Sequence, residues 1–170
     1  RATGGAPFLE DRHYLRLKHS AEVLDFKGLP SHLEWKAILK GLLDRNSIKD
    51  ALIRVIVTRG RGFPGKVLPD QEGPLTVVAM AIPYPGRPEK LFNEGIEVAL
   101  SETPASRGLA PDAKTLDMIG TYLLRRRTPS AFEVIRVSRD GFLAEGTVSN
   151  FFWIEGNKLI PTPELIRGLL

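Results

Sequence analysis

The sequence predicts a globular chain that mixes helices and strands. Two stretches have apolar residues at helical spacing, residues 10–24 and 31–43, and two later ones, 51–58 and 75–82, are rich in β-branched or apolar residues. Of the 170 residues, 42% are hydrophobic, which is enough to bury a core in one domain or two small ones.

The N-terminal elements follow from turn and capping residues. Residues 1–9 predict a short strand, a Gly-Gly turn and a return strand. The helix over 10–24 is expected to stop before Gly28 and Pro30, because both residues break the helical pattern. Ser31 is a favourable N-cap for the second helix.

Two predicted strands flank a loop rich in glycine and positive charge. The strand over 51–58 alternates, whereas 75–82 is a nearly continuous apolar run and is expected to be the more deeply buried. The loop between them includes residues 59–66. A further strand is expected over 95–100, followed by a loop over 105–113.

The C-terminal part predicts a helix followed by hairpins. The expected elements are a helix over 116–127, a strand over 131–138, a turn at Asp140-Gly141, and a hairpin of 151–154 with 158–160. The arginine triplet Arg125-Arg126-Arg127 is expected to be a solvated helix end.

Composition limits the classes of function. The net charge of +4 is modest and the arginines are otherwise scattered, so no nucleic-acid partner is expected. The absence of cysteine excludes disulfides, a thiolate nucleophile and Cys-ligated metals, and it is compatible with a cytoplasmic location. No apolar run is long enough to predict a membrane span, and no metal site is expected.

Two motifs carry residue types that suit a cofactor site. Lys114 lies in Lys114-Thr115-Leu116-Asp117, after a Pro/Asp-containing turn and before a helical pattern. Glu145 opens Glu145-Gly146-Thr147-Val148-Ser149-Asn150, which places a carboxylate among hydroxyl and amide donors. A lysine that attacks a carbonyl must be neutral at that moment, a state that apolar or cationic surroundings favour.

These motifs resemble the K-[ST]-L-N and E-G-[ST]-x-S-N-[IVLF]-F signatures of the class IV, fold type IV, pyridoxal-phosphate (PLP) enzymes. Leu159-Ile160-Pro161-Thr162-Pro163 follows and resembles the family's L-x-T-P. The family contains branched-chain aminotransferases, D-amino acid aminotransferases and aminodeoxychorismate lyases. Because both motifs occur in the family's order, the resemblance is specific.

The resemblance implies PLP as cofactor, held through a Schiff base by Lys114, which would also move the proton between Cα and C4′. It implies that Glu145 keeps the pyridine nitrogen protonated, so that the ring acts as an electron sink. The alternatives are a surface lysine at a helix start and an exposed turn glutamate.

The resemblance also implies contacts to the rest of the cofactor. His13-Tyr14-Leu15-Arg16-Leu17 resembles the family's H-x-x-R-L, so Arg16 is expected to contact the phosphate; a solvated helix arginine is the alternative. Leu169 and Leu170 stand where the family has G-[IV]-T, so backbone amides would bind phosphate without the threonine hydroxyl. Three further residues are expected to line the cofactor: Thr147, Ser149 and Asn150.

Substrate recognition is expected from cations. The stretch Thr58-Arg59-Gly60-Arg61-Gly62-Phe63 resembles a loop of aminodeoxychorismate lyases with residues deleted, and also the T-R-G opening of the D-amino acid enzymes. Arg59, Arg61 or Lys66 is expected to clamp a carboxylate, and Arg107 to line the site. A hairpin whose cations face water is the alternative.

Met118 bears on the reaction, because the branched-chain enzymes frequently have a tyrosine there that hydrogen-bonds the cofactor. The favoured reaction is the lyase conversion of 4-amino-4-deoxychorismate to 4-aminobenzoate and pyruvate. The alternative is transamination of D-amino or branched-chain amino acids with a 2-oxo acid acceptor. A non-catalytic homologue is a further alternative, motivated by Leu170.

The resemblance implies an α/β fold in two domains with the cofactor between them. A small N-terminal α+β domain would cover residues 1–108, and 109–170 would form part of a larger β-rich domain. A homodimer is implied, because in this family a loop of the neighbouring subunit completes the site. The chain starts without Met and stops at Leu170, so a piece of a longer protein is expected.

Overall fold

The structure is a computed structural model that describes residues 1–62, 65, 73–101, 110 and 112–162. The chain divides into two units, Arg1–Gly86 and Arg87–Leu170. Helices and sheets occur in both units, so the predicted α/β class is confirmed. The domain boundary at 108/109 and the cofactor position between domains stay predictions.

The N-terminal unit contains one antiparallel sheet of four strands in the order β2-β1-β3-β4. Its elements are β1 (Ala2–Thr3), β2 (Ala6–Pro7), α1 (Glu10–Val23), α2 (His32–Asn46), β3 (Ala51–Thr58) and β4 (Thr76–Pro83). The predicted strand pair at the N-terminus, both helices and both longer strands are therefore confirmed.

Helix α2 begins as its sequence predicts. The Ser31 hydroxyl accepts a hydrogen bond from the Glu34 backbone N–H at 3.3 Å, and the Glu34 carboxylate accepts from the Ser31 N–H at 2.7 Å. This reciprocal pair is a capping box, which satisfies backbone donors that a helix start leaves without partners. The predicted N-cap is confirmed.

The sheet of this unit has one covered face and one open face. On the covered face Ile53 pairs with Ala81, and both pack against a buried cluster that includes Leu43 of α2. On the other face Met80 and Ile82 of β4 are 37% and 60% exposed. The predicted deep burial of this strand is wrong, because packing against α2 covers only the face that carries Ala81. Apolar composition does not distinguish a strand covered on both faces from one covered on a single face.

The second unit contains a three-stranded mixed sheet and a separate hairpin. Its elements are α3 (Lys90–Asn93), β5 (Val98–Leu100), α4 (Ile119–Arg127), β6 (Glu133–Val137), β7 (Leu143–Gly146), β8 (Phe152–Glu155) and β9 (Lys158–Pro161). Strand β5 is parallel to β6 and β7 is antiparallel to β6, while β8 pairs only with β9 among the described residues. All of these elements except α3 and β7 were predicted from the sequence. For β5, α4 and β6 the predicted range is longer than the observed one.

Strand β6 carries the core of this unit. Val134 and Ile135 are buried, as is Ala144 of the neighbouring strand β7. The two strands are joined at the predicted turn, where Gly141 has a φ of 82° and the Ser138 N–H donates to the Phe142 carbonyl oxygen at 2.8 Å. Within the described residues, no helix is long and apolar enough to span a membrane.

Candidate cofactor site

The Lys114 segment lies immediately before helix α4. The Asp117 N–H donates to the Thr115 hydroxyl oxygen, and the Ile119 N–H donates to the Asp117 carboxylate, each at 3.3 Å. Asp117 thus satisfies a backbone donor at the helix start, a task that the asparagine frequent in the family motif can perform equally well. These local bonds hold the segment in place while Lys114 lies exposed.

Glu145 lies on β7, one residue before the strand ends. Its neighbours Ala144 and Gly146 are buried, whereas Glu145 is half-buried. Gly146 pairs with Ile135 of β6, so the backbone next to Glu145 is fixed by the sheet. The carboxylate of Glu145 is therefore presented from a strand end rather than from a free loop.

The turn after Glu145 closes around a second carboxylate, that of Glu133, which is only 4% exposed. Its Oε1 accepts from the Val134 N–H at 2.8 Å, from the Thr147 N–H at 3.1 Å and from the Thr147 hydroxyl. Its Oε2 accepts from the Ser149 hydroxyl at 2.7 Å and from the Val148 N–H at 3.3 Å. Glu133 was not among the predicted site residues.

These donors set the charge state of Glu133. Burial by itself raises the pKa of this carboxyl, but the hydrogen bonds from Ser149, Thr147, Val134 and Val148 outweigh it and lower the pKa to about 2. Glu133 is therefore ionised throughout the ordinary pH range. An ionised carboxylate only accepts hydrogen bonds, so the Thr147 and Ser149 hydroxyls must donate their protons to it.

Arg125 adds a positive charge to this cluster. Its Nη1 donates to the Glu133 Oε1 at 3.2 Å and to the Phe132 carbonyl oxygen at 2.9 Å. The prediction that the arginine triplet is a solvated helix end is confirmed for Arg126 and Arg127, which are exposed. Arg125 keeps 40% of its side chain exposed but also reaches the buried Glu133, which was not predicted. Helix α4 ends beside the start of β6, and only the folded chain brings these residues together.

Gly146 makes room for the cluster. A Cβ atom built at this position would lie 2.3 Å from the Ser149 Oγ and 3.0 Å from the Glu133 Cδ. Any larger side chain would push the hydroxyl and the carboxylate apart. The glycine of the Glu145 motif is thus required by the close approach of two side chains.

The remaining predicted residues of the turn have different surroundings. The hydroxyl protons of Thr147 and Ser149 are directed to Glu133, so these groups can offer a cofactor only their oxygen atoms as acceptors. Asn150 is exposed. Cofactor contacts of Thr147, Ser149 and Asn150 stay predictions.

The N-terminal unit holds three of the predicted cations. Arg16 is exposed on α1, with its Nη2 3.5 Å from the His13 Nδ1. Arg59 donates to the Leu24 carbonyl oxygen at 2.7 Å and lies over the Phe26 ring, 5.2 Å from its centroid, whereas Arg61 is exposed. Lys66, Arg107, Leu169 and Leu170 lie outside the described residues. The roles predicted for all of these residues stay predictions.

The described part of the chain also contains a group with metal-ligand chemistry, formed by Glu10, Asp11 and His32. The Lys36 ammonium lies 3.5 Å from a Glu10 carboxylate oxygen and 3.0 Å from an Asp11 carboxylate oxygen. His32 Nε2 lies 2.9 Å from Glu10 and 3.1 Å from Asp11. Because the Lys36 ammonium already lies within ion-pair distance of both carboxylates, we describe the group as an ion-pair cluster.

Comparison with known proteins agrees with the motifs. The family described as amino-transferase class IV matches residues 1–170. A D-alanine aminotransferase of Bacillus licheniformis is 32% identical, over 96% of this chain and 56% of its own length. An aminodeoxychorismate lyase of Bacillus subtilis is 29% identical, over 98% of this chain and 57% of its own length.

A solved structure extends the comparison to the fold. The PLP-bound form of a hypothetical aminotransferase from Mycobacterium tuberculosis is 27% identical, with a TM-score of 0.74 over 96% of this chain and 58% of that chain. The predicted fold type IV architecture is confirmed for the part that is present. This chain belongs to the class IV aminotransferase family, and it spans a little over half the length of the relatives it matches.

Proposed function

We propose that this chain supplies the PLP site of a class IV enzyme that acts on an amino substrate. The observation that carries the proposal is the pair of family motifs in one unit, an exposed lysine before α4 and a half-buried carboxylate at the end of β7. These groups fit PLP, since an accessible amine and an anchored acceptor are what its aldehyde and ring nitrogen require. When bound, PLP supplies an electron sink for negative charge at the substrate Cα.

The chain's own residues then have separate tasks. Lys114 holds the cofactor covalently and carries the proton between Cα and C4′. Glu145 holds the proton on the ring nitrogen. Arg16 supplies a charge-assisted hydrogen bond to the phosphate, and the exposed Asn150 contributes an amide to the site.

We favour the lyase reaction, in which 4-amino-4-deoxychorismate yields 4-aminobenzoate and pyruvate. Its support is the Arg59–Phe63 loop sequence and the presence of Met118, whose thioether cannot replace a tyrosine hydroxyl. Transamination is the second candidate, and its support is the 32% identity to a D-alanine aminotransferase. Incubation with 4-amino-4-deoxychorismate, compared with D- and L-amino acids plus pyruvate or 2-oxoglutarate, separates the two.

Arg61 is the stronger candidate for the substrate carboxylate. The Arg59 guanidinium already donates to the Leu24 carbonyl oxygen, so moving it to a substrate would break that bond. Arg61→Ala is therefore expected to raise KM by about ten-fold or more, as loss of a charge-assisted contact predicts. An unchanged KM would contradict this assignment.

The covalent role of Lys114 is tested with the purified chain and added PLP. Wild-type protein is expected to acquire a visible absorbance band and to retain PLP after borohydride reduction, as measured by mass spectrometry. Lys114→Ala should retain none, whereas Lys158→Ala, an exposed lysine of the same unit, should behave as wild type. A wild-type chain without bound PLP would favour the non-catalytic homologue.

The role of Glu145 is tested by Glu145→Gln. The neutral amide cannot stabilise a protonated ring nitrogen, so turnover is expected to fall by roughly two to four orders of magnitude. Covalent attachment through Lys114 and substrate binding should change far less, because the interaction strengthens in the transition state. Near wild-type turnover would show that the motif is structural.

The open sheet face supports a homodimer as the assembly. The exposed apolar side chains of β3 and β4 on this face are Leu52, Val78, Met80 and Ile82. Contiguous apolar surface of this kind is typical of interfaces. Sedimentation equilibrium should give twice the chain mass, and Met80→Lys should shift the measured mass toward that of the monomer.

The predicted cytoplasmic location stays a prediction.

A further inference from the structure

We propose that Glu133 is a positioning residue for Glu145, and that Thr147 and Ser149 serve it by tying the turn after Glu145 to the first residue of β6. The inference rests on the proposed function, because the task of Glu145 is itself a proposal. It also gives Thr147 and Ser149 a task different from the cofactor contacts that the family motif implies.

Both oxygens of the Glu133 carboxylate accept hydrogen bonds from one short segment, residues 147–149. Thr147 donates its N–H and its hydroxyl to Oε1, while the Val148 N–H and the Ser149 hydroxyl reach Oε2. Rotation of the carboxylate would break one of these sets. The Gly146 N–H also donates to the Ser149 carbonyl oxygen at 2.7 Å, so the turn is closed on itself as well as anchored.

The backbone of Glu145 is consequently held on both sides. The strand pairs with β6 at Leu143 and at Gly146, on either side of Glu145, with a register irregularity between these two pairs. Beyond Gly146 the turn is fastened to Glu133, which is itself buried in β6. A side chain that must meet a ring nitrogen needs a backbone fixed to within a fraction of an ångström. Glu133 supplies that restraint through the turn, since both of its oxygens accept from the chain's own donors.

The site requires a carboxylate in particular. All the groups that face Glu133 are donors: three backbone N–H groups, two hydroxyls and the Arg125 guanidinium. A glutamine has the same size, but its NH₂ group would meet N–H and O–H donors. Glu133→Gln therefore changes the hydrogen bonds while keeping the volume.

The first arm of the test uses amide hydrogen exchange in the full chain without cofactor. Glu133→Gln is expected to speed exchange at Val148 by about ten-fold to a hundred-fold, as loss of a bond to a charged acceptor predicts, and to affect Thr147 less, because its N–H also donates to the Val134 carbonyl oxygen at 3.0 Å. Amides of the β8–β9 hairpin should keep their rates. Glu155→Gln, the same change at an exposed strand residue of this unit, should alter neither region.

Should Glu133→Gln fail to fold, Ser149→Ala provides the same readout, since it removes one donor and leaves the carboxylate in place. It is expected to change exchange at Val148 in the same direction by a smaller factor. Unchanged exchange at residues 147–149 in a folded variant would overturn the proposal.

The second arm measures turnover of the PLP-loaded chain in two backgrounds, one with the native Glu145 and one with Glu145→Gln. Glu133→Gln is expected to lower kcat about ten-fold to a hundred-fold with little change in KM, but by no more than about three-fold when Glu145→Gln is already present. Equal losses in both backgrounds would show that Glu133 acts on the fold in general, which overturns the positioning role. A wild-type chain that takes up no PLP contradicts the proposed function instead, and the exchange result still decides whether Glu133 holds the turn.

Discussion

Glu133 in the second unit and Glu10 in the first are both surrounded by partners, but the two clusters are built from different interactions. Glu133 is buried and accepts hydrogen bonds from backbone and hydroxyl donors at fixed angles. Glu10, whose side chain is 12% exposed, meets the charged or chargeable side chains of Lys36 and His32, which are 50% and 39% exposed, and its neighbour Asp11 is 70% exposed.

This difference decides what each cluster can do. The Lys36 ammonium lowers the pKa of Asp11, and Asp11 in turn raises the pKa of Lys36, but both groups stand in water, where salt screens their attraction. The Glu133 carboxylate is buried, and its hydrogen bonds fix a direction as well as a charge. A buried carboxylate can hold a backbone segment in place, whereas the surface cluster contributes little to position.

The largest expected effect is that of Glu133→Ala. It would leave buried N–H and hydroxyl donors, and the Arg125 guanidinium, without their acceptor, at a cost of about 3–5 kcal/mol in the free energy of unfolding. Urea denaturation followed by circular dichroism measures this loss. Glu155→Ala on the exposed hairpin is the control and should stay within about 0.5 kcal/mol of wild type. A loss no larger than the control's would remove the contrast between the clusters.

Acid should produce the next largest effect. The pKa of Glu133 in the folded chain is about 2, below its ordinary value of 4.5, so its contribution is complete above pH 4.5 and is lost as pH falls toward 2. The shift corresponds to about 3 kcal/mol at 1.36 kcal/mol for each pH unit. Unfolding measured between pH 5 and 2 should therefore show a steeper loss for wild type than for Glu133→Gln. Equal slopes would place the pKa of Glu133 near its ordinary value.

Gly146→Ala tests the packing of the same cluster. The added Cβ would displace the Ser149 hydroxyl or the Glu133 carboxylate, and we expect a loss of about 1–3 kcal/mol. Gly120→Ala in helix α4 is the matched control, because a Cβ there meets nothing within 4 Å and alanine favours the helix by up to about 1 kcal/mol. If both variants respond alike, the close approach at Gly146 does not matter to stability.

Lys36→Ala should have the smallest effect. Removing this ammonium leaves Asp11 exposed to water, so the loss of stability is expected to be smaller than for Glu133→Ala or Gly146→Ala. The difference from wild type should shrink further in about 0.5 M salt, where the Debye length is only a few ångströms. A large, salt-independent loss would mean that the surface cluster positions its helices as Glu133 positions its turn.

Local sequence patterns were sufficient to predict most of the helices and strands and to indicate the family. Strand β3 was predicted with the bounds the structure has, and Ser31 was identified as the cap of α2 because capping depends on residues three positions apart. The β8–β9 hairpin follows from a Gly-Asn turn between apolar runs. The motifs around Lys114 and Glu145 indicated the family because each is contiguous in the chain.

Tertiary structure decided what depends on distant partners. The open face of β4 arises because packing covers only the face that carries Ala81, and the pairing of Arg125 with Glu133 follows from how α4 precedes β6. Glu133 itself stands 14 residues before Thr147, in a stretch whose sequence has nothing to distinguish it from other strand glutamates. The β6–β7 register brings the Glu133 carboxylate to the turn. Burial of that carboxylate strengthens its hydrogen bonds, because water would otherwise compete for the same donors.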